Sequence, residues 1–361
     1  MNRAPVAVTI VTYNSEWYIR PCLEAVLALD PAPEQIVVVD NLSSDGTRMV
    51  LREFSDRVEV ICNGANTGFA AGQNQAIAMT RAEWVLTLNP DVILPPDFLG
   101  RLLGASELSD DVGTLCGKLL SLQPDLSMPS PAVLDSTGIY FTPELRHFDR
   151  GWGEPDDGRF HETEEVFGAS AAAALYRRRM IEDVQVDGEF FDSAFFAYRE
   201  DADVAWRAQL LGWRCLYRPM ARGFHVRQVR PGKRGRNPAG VNMHSVKNRF
   251  LMRAKNITWP VWRRCWLQAL WRDAVVIGGC LLWERASLPA FWHLAKALPG
   301  ALRQRREIMA RRRWTAARVE GGAGAEGVAR VEEWFQADGA GAPEPQKNFS
   351  RPVVDPTSHR S

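Results

Sequence analysis

Leu88-Asn89-Pro90-Asp91-Val92 is the stretch on which the reading of this chain turns. An acid in a short turn, directly after an apolar strand, is well placed to hold a divalent cation against a diphosphate. Two earlier apolar runs end in the same manner, in Val11-Thr12-Tyr13-Asn14 and Val38-Val39-Asp40-Asn41. Far downstream, Phe195-Phe196-Ala197-Tyr198-Arg199-Glu200-Asp201 sets two adjacent carboxylates behind a row of aromatic residues.

Working outward from that turn, strands and helices alternate. Residues 6–11, 35–39, 58–62 and 84–88 read as strands, and 16–29, the stretch through Phe54, 68–80 and 99–108 as helices. The β-branched run from Val6 to Val11 is what a strand buried on both faces requires. Repeated βα units imply a mostly parallel, Rossmann-like sheet flanked by helices, with ligands at the carboxyl ends of the strands. Residues 113–168 have no clear period and are expected to give short strands and loops around an acceptor pocket. Further on, 169–176 and 215–217 read as strands, 200–211 as a helix, and 230–240 as a flexible loop. Residues 246–314 form a helical extension, and 315–361, rich in Gly, Ala and Pro, are expected to be disordered. A first unit would then span 1–245, dividing at about residue 110.

Composition excludes several classes. The chain has 361 residues, 46% hydrophobic and 24% charged, with a formal net charge of +1, so no general attraction to nucleic acid is implied. Six scattered cysteines without a C-x-x-C pair fit a reducing cytosol rather than a zinc site or a disulfide framework. The N-terminus runs straight into a strand, so no signal peptide is expected. Basic residues are concentrated: 249–314 holds fourteen Lys and Arg against three acids, with seven of the thirteen tryptophans. Its longest apolar run, 274–283, is about half of what a bilayer span needs, so the segment is expected to lie on an anionic membrane rather than cross it. Packing of these helices on the rest of the chain is the alternative.

Each candidate site residue also has a structural explanation. Asp40, at a strand end, can accept the imide N–H of a pyrimidine base, or close an Asx-turn. Asn66-Thr67-Gly68-Phe69-Ala70-Ala71-Gly72-Gln73-Asn74 opens a helix, where phosphate binding and close helix packing are both possible. It is neither a Walker loop nor a G-x-G-x-x-G. One carboxylate, Asp91, suffices for Mg²⁺ or Mn²⁺ if a diphosphate completes the shell. Glu200 and Asp201 open a helix, where acids complement the dipole, yet the preceding aromatics could desolvate them and make a better base. Asp203 and Arg207 are spaced to pair across one helical turn. His225 is either a structural histidine or a further metal ligand.

Taken together and in this order, these motifs resemble the family 2 glycosyltransferases of the GT-A fold, over residues 6 to about 256. Thr12, Tyr13, Asn14, Asp40, Asn41, Asn66, Gly68, Phe69, Gly72, Asn74, Asn89 and Asp91 stand in what looks like the family's nucleotide half. Phe190-Phe191-Asp192, Glu200-Asp201-x-Asp203, Arg207 and Gly212-Trp213 look like its acceptor half. Val246-Lys247-Asn248-Arg249 is similar to the closing segment of a rhamnosyltransferase-like subgroup. The resemblance implies a nucleotide-sugar donor, with dTDP-rhamnose or another nucleotide hexose expected, and a glycan or lipid-linked acceptor in cell-envelope polysaccharide synthesis. It also implies Asp40 at the base, Asp91 and His225 on the metal, and Asp201 as the base of an inverting transfer, with Glu200 beside it. The protein would then work in the cytoplasm, at the cytoplasmic face of the inner membrane. Asn-Pro-Asp replaces the family's D-x-D, and the Q-x-x-R-W of processive synthases is absent, which points to single-residue transfer. A catalytically silent sugar-nucleotide-binding scaffold is the rival reading, and the presence of both Asp91 and Asp201 argues against it. A nucleotidyltransferase would need a Lys-bearing triphosphate loop that the N-terminal region lacks.

Overall fold

The computed structural model describes residues 3–104, 108–227, 239–313, 331 and 334–335. Its first part alternates β1 (Arg3–Thr12), α1 (Glu16–Leu27), β2 (Ala32–Asp40), α2 (Thr47–Glu53), β3 (Glu59–Cys62), α3 (Gly68–Ala78) and β4 (Trp84–Leu88). Next come β5 (Val92–Ile93), α4 (Phe98–Leu103), β6 (Val112–Ser121), β7 (Leu134–Ser136), β8 (Ile139–Phe141), β9 (His147–Asp149) and β10 (Glu164–Val166). The remainder is β11 (Ala173–Arg177), α5 (Arg178–Val184), α6 (Glu200–Leu210), β12 (Arg214–His225), α7 (Ala239–Asn256), α8 (Trp259–Leu282) and α9 (Pro289–Arg311).

The main sheet has ten strands, and its principal order is β10-β12-β6-β11-β4-β1-β2-β3. β3, β2, β1 and β4 run parallel, and β11 joins antiparallel to both β4 and β6. β1 explains its own sequence. Val6, Val8 and Ile10 enter one core with α1, while Val11 packs with Val37, Val39 and Ala76 on the other face. Each such fully buried side chain contributes about 1.5–3 kcal/mol. The order of strands reverses at β1, with β2 on one side and β4 on the other, and the crevice at such a switch point is where α/β sheets bind ligands. Thr12 ends β1 and Asp91 follows β4, the two strands that flank it.

Several sequence expectations need correction. The aperiodic region conceals β6, a ten-residue strand in the middle of the sheet, buried along almost its whole length. Gly113, Gly117 and Lys118 mask its apolar pattern, and both glycines sit where a Cβ would strike neighbours, at 2.5 Å from Met180 and 2.2 Å from the Ala221 carbonyl. The helix expected over 99–108 ends at Leu103. β12 extends from Arg214 to His225, so His225 closes a strand rather than following a turn; the break between Arg218 and Arg222, around Pro219, is a register shift within it. The helical extension starts at Ala239, not at residue 246. It does not stand apart: Leu251, Met252, Val261, Cys265, Ala269, Ala301 and Ile308 share one core with Phe141, Phe167 and Trp206. In the stretch expected to be disordered, Val331 and Phe335 are buried, and Phe335 stacks near Phe141 and Trp206, with ring centroids 5.3 and 5.0 Å away. Three large apolar groups, Val331, Trp334 and Phe335, offer the anchors that the tail's average composition hides. Most of the expected loop over 230–240 and most of the tail lie outside the described residues. α8 is, among the described residues, the one helix long and apolar enough to cross a membrane by length and composition, which the shorter apolar run did not suggest.

Candidate active site

The turn after β4 places Asp91 against the end of β12, because β5 pairs with it and sets Val92 opposite His225. Asp91 Oδ1 lies 3.3 Å from His225 Nε2, and His225 Nδ1 lies 2.8 Å from Asp135 Oδ2. Arg227 continues the chain, with Nε 2.7 Å from Asp135 Oδ1 and an Nη 2.7 Å from Asp149. Asp91, Asp135 and His225 are all buried. Burial opposes the charged form of His225, but the carboxylates of Asp135 and Asp91 outweigh it and raise the imidazole to about 10. Burial likewise works to raise both acids; His225 overcomes this at Asp91, and His225 with Arg227 brings Asp135 down to about 2.

The pair fits a hard divalent cation. Two cis ligands at about 2.1 Å from one ion stand about 3 Å apart, close to the observed Oδ1–Nε2 separation. A carboxylate on the second ring nitrogen, as Asp135 supplies, is the usual partner of a metal-bound histidine and fixes its tautomer. Among the described residues no group of three His, Cys, Asp or Glu side chains could form a complete protein shell, so diphosphate and water would supply the rest.

Asp201 lies in the first turn of α6, and the same network approaches it from two sides. Its Oδ2 accepts weakly from the Ala171 N–H at 3.4 Å, and the neighbouring Ala172 carbonyl accepts from the Asn89 N–H at 2.9 Å. On the other side stands Asp149, bonded to Arg227. Burial first, then the charge of Asp149, raises the Asp201 carboxyl to about 6. Burial and Asp201 push Glu200 well above the carboxylate range, and its Oε2 has no partner. Asp203 pairs with Arg207 at 3.0 Å, as its spacing anticipates, and also with Lys255 and Asn256 of α7 at 2.9 and 2.7 Å.

The segment before α6 is held in a strained shape. Phe196, Tyr198 and Arg199 all have positive φ, at 65°, 71° and 73°. Asn248 of α7 sends its amide group to the carbonyls of Phe195, Ala197 and Tyr198, at 2.9, 2.9 and 2.7 Å. The Arg199 guanidinium reaches the Ser245 carbonyl, and the Lys247 ammonium the Ala194 carbonyl. α7 therefore sets where Glu200 and Asp201 point.

The other candidates divide between open and internal roles. Tyr13 is 53% exposed at the crevice mouth, and Asn89 is half-buried there. Asn14, with φ of 51°, bonds Ser43 and Ser44. Asp40 is fully buried, and its oxygens accept from Thr12, Ser43 and Arg48, the last at 2.6 Å. Asn41 accepts from Asn63 and Thr67 and donates to the Gly68 carbonyl. The start of α3 is filled by protein: Asn66 Oδ1 takes the Gly68 N–H and the Phe196 carbonyl takes that of Ala70. Gly68 has φ of 83°, and a Cβ there would stand 2.5 Å from that carbonyl. A Cβ on Gly72 would meet Val11 at 3.0 Å. Phe69 packs edge-on against Phe191, and Asn74 clamps the Phe191 backbone with two hydrogen bonds, so both tie the two halves together. Close packing thus accounts for the glycines of α3. Asp135, Asp149 and Arg227 carry no signal as site residues in the sequence, apart from Arg227's place two residues beyond His225, whereas Asn248 stands in the Val246–Arg249 motif without its role being legible there.

Residues 7–185 match the family model Glycosyl transferase family 2. The chain belongs to that family. This glycosyltransferase is 28% identical over 248 residues to the N-acetylglucosaminyl-diphospho-decaprenol L-rhamnosyltransferase of Mycobacterium tuberculosis, a match covering 64% of this chain and 78% of that protein. It is 27% identical to the succinoglycan biosynthesis protein ExoO of Rhizobium meliloti, over 62% of this chain and 61% of that one. The fold is GT-A. A crystal structure of GalNAc-T7 with UDP, GalNAc and Mn²⁺ aligns with a TM-score of 0.52 at 13% identity, over 69% of this chain and 47% of that one. S. aureus TarS aligns at 0.50 and 16% identity, over 84% and 50%. The chain thus spans about half the length of both solved proteins.

Proposed function

We propose that this enzyme transfers one sugar, with inversion, from a nucleoside-diphosphate sugar to a hydroxyl of a lipid-linked glycan in cell-envelope polysaccharide synthesis. The observation that supports it most is the shared backbone link: Asp201 bonds Ala171, and Ala172 bonds Asn89 in the Asp91 turn. Asp201 and the Asp91 turn are thereby tied to the same two residues before β11, which supports reading one as the base and the other as the acid that faces the diphosphate. Asp91 and His225 would hold Mg²⁺ or Mn²⁺, which when bound supplies positive charge to the departing diphosphate. Asp201, ionised at neutral pH, removes the acceptor proton as the hydroxyl oxygen attacks the anomeric carbon from the face opposite the leaving group. Glu200, held neutral beside it, keeps the pair from carrying two charges. The chain before α7 carries this chemistry, and the helices from Ala239 onward form the extension. dTDP-rhamnose is the first donor to test, since a relative across most of the domain is an L-rhamnosyltransferase.

The extension fits a peripheral membrane role at the cytoplasmic face. Val261, Cys265, Ala269, Val276 and Cys280 turn inward from α8, while Trp266, Leu267, Leu270, Trp271, Leu281 and Leu282 are exposed, with Arg263 and Arg264 beside them. An apolar face with basic flanks suits an anionic lipid surface. Screening nucleotide sugars for hydrolysis by the purified full-length protein, with Mn²⁺ and with EDTA, tests the enzymatic reading. Failure of every donor to turn over, with nucleotide still bound, would favour the scaffold.

A further inference from the structure

Where the β8–β9 hairpin meets α7 and α8, positive charge collects without matching negative charge. Arg249 Nε lies 3.1 Å from Asp273, an Nη of the same side chain donates to the Glu144 carbonyl at 2.9 Å, and Arg253 holds the other Asp273 oxygen at 2.5 Å. Asp273 is thus used twice. Arg146 and Arg272 have no ion-pair partner among the described residues, and the buried Nε of Arg272 has no hydrogen-bond partner. The Arg146 guanidinium lies over the Phe148 ring, 4.3 Å from its centroid. Four arginines thus face the carboxylates of Asp273 and Glu144 alone. Burial first, then Arg272 and Arg249, bring Arg146 down to about 10, and burial together with Arg199, Arg146, Arg249 and Arg227 holds His147 well below its ordinary value. A half-buried excess of cations is costly unless an anion occupies it.

The surroundings indicate which anion. Trp271, directly before Arg272, is 72% exposed on the apolar face of α8. On the other side, Arg146 leads into β9, and Asp149, whose charge acts on Asp201, is three residues further on, about 10 Å along a strand. One hexose and its anomeric phosphate cover such a span. We propose that Arg146, Arg249 and Arg272 bind the diphosphate of a polyprenyl-diphosphate-linked acceptor, with its sugar hydroxyl at Asp201 and its hydrocarbon chain on the exposed face of α8. The proposal rests on the lipid-linked-acceptor reading above. Planar guanidinium forks match phosphate oxygens, and their number suits two phosphoryl groups better than one.

The test uses the full-length protein in EDTA, without vesicles, titrated with farnesyl diphosphate and followed by tryptophan fluorescence. Farnesol serves as the phosphate-free control. The wild type is expected to bind farnesyl diphosphate at least tenfold more tightly than farnesol. Arg146→Gln with Arg272→Gln is expected to erase that preference and Arg272→Lys to keep part of it, with farnesol binding and the melting temperature preserved. Asp91→Asn separates this site from the nucleotide site: a diphosphate bound at the latter would respond to that change and not to the arginines. Equal affinity of wild type and double variant for farnesyl diphosphate would overturn the proposal. So would loss by the double variant of phosphatidylglycerol-vesicle binding with farnesyl diphosphate binding intact, which would assign the arginines to the bilayer surface. Failure of the acceptor reading itself would look different: the wild type would bind the lipid diphosphate with the arginine dependence described, yet transfer no sugar to a glycosylated lipid diphosphate.

Discussion

Asp201→Asn separates the chemistry of this site from its architecture, and two measurements follow from one number. The Asp201 carboxyl is raised from 3.8 to about 6 by burial and by Asp149. A base titrating there is about 90% ionised at pH 7 and about 10% at pH 5, so kcat/KM of the wild type should fall about tenfold per pH unit below 6 and level off above 7. Asp201→Asn should lower transfer by a factor of ~10² or more while leaving nucleotide affinity unchanged. The same shift predicts a change in stability of opposite sign. Because the folded value lies above the unfolded one, Asp201 favours folding fully below pH 3.8 and loses that contribution as pH rises through 6. The difference of about two units, at 1.36 kcal/mol each, amounts to as much as about 3 kcal/mol at pH 7. The variant should therefore melt higher than the wild type at pH 7, and the gap should close towards pH 4. Urea melts at both pH values, beside a pH–rate profile, measure it. A wild-type profile that is flat between pH 5 and 7, or a variant that transfers sugar at the wild-type rate, would show that Asp201 is not the base.

Other variants test neighbouring parts of the site. EDTA should abolish donor turnover, and Asp91→Asn should lose most of it while His225 stays bonded to Asp135; full activity in EDTA, assayed on donor hydrolysis, would remove the metal from the mechanism. Asp40→Ala leaves the buried donors of Thr12 and Ser43, and the part-exposed guanidinium of Arg48, without that acceptor and should cost about 3 kcal/mol of stability, read as a lower melting temperature. If Asp40→Ala instead lost nucleotide affinity with an unchanged melt, its carboxylate would be aimed at the base rather than at the loop. Asn248→Ala should reduce kcat far more than the donor KM, because it releases the strained carbonyls before Glu200; equal losses in both would mean that α7 acts on nucleotide binding as well. Trp266→Ser with Trp271→Ser should weaken sedimentation with phosphatidylglycerol vesicles several-fold at low salt, and unchanged partitioning would return the exposed face of α8 to a packing or assembly role.

The strands β1 to β4 could be read because each is short, buried and bounded by turn residues, so that local pattern and tertiary burial agree. Their ligand-facing ends followed from topology alone. β6 could not be read, because its glycines are dictated by Met180 and the Ala221 backbone, which come from distant parts of the chain. The same limit applies to the site. Asp91 and Asp201 stood at element ends and were visible, whereas Asp135 and Asp149 lie in an aperiodic region and acquire meaning only through His225 and Arg227. Asn41, Gly68, Gly72 and Asn74 read as ligand contacts in the sequence, and each also has close partners within the chain. A turn that braces its neighbours and a turn that binds phosphate draw on the same small polar residues, so composition cannot separate them.

The placing of Asp201, the proposed base, also gives the helices beyond the sheet a role. Two adjacent carboxylates, one buried and one half-buried, three positive-φ residues and an unpartnered Glu200 oxygen all lie within residues 196–201, and each is unfavourable in isolation. α7 supplies the restraint through Asn248, Ser245 and Lys247, and Lys255 and Asn256 anchor α6 through Asp203. α7 is itself fixed by α8 and α9 through the core that contains Leu251, Met252, Val261 and Ala301. If α8 lies on a lipid surface, the helix that positions the base is packed directly against the one that meets the acceptor's membrane. Docking and catalysis then share one rigid unit, and a change at the α7–α8 contact such as Val261→Ala should lower kcat on a lipid-linked acceptor without touching either ligand.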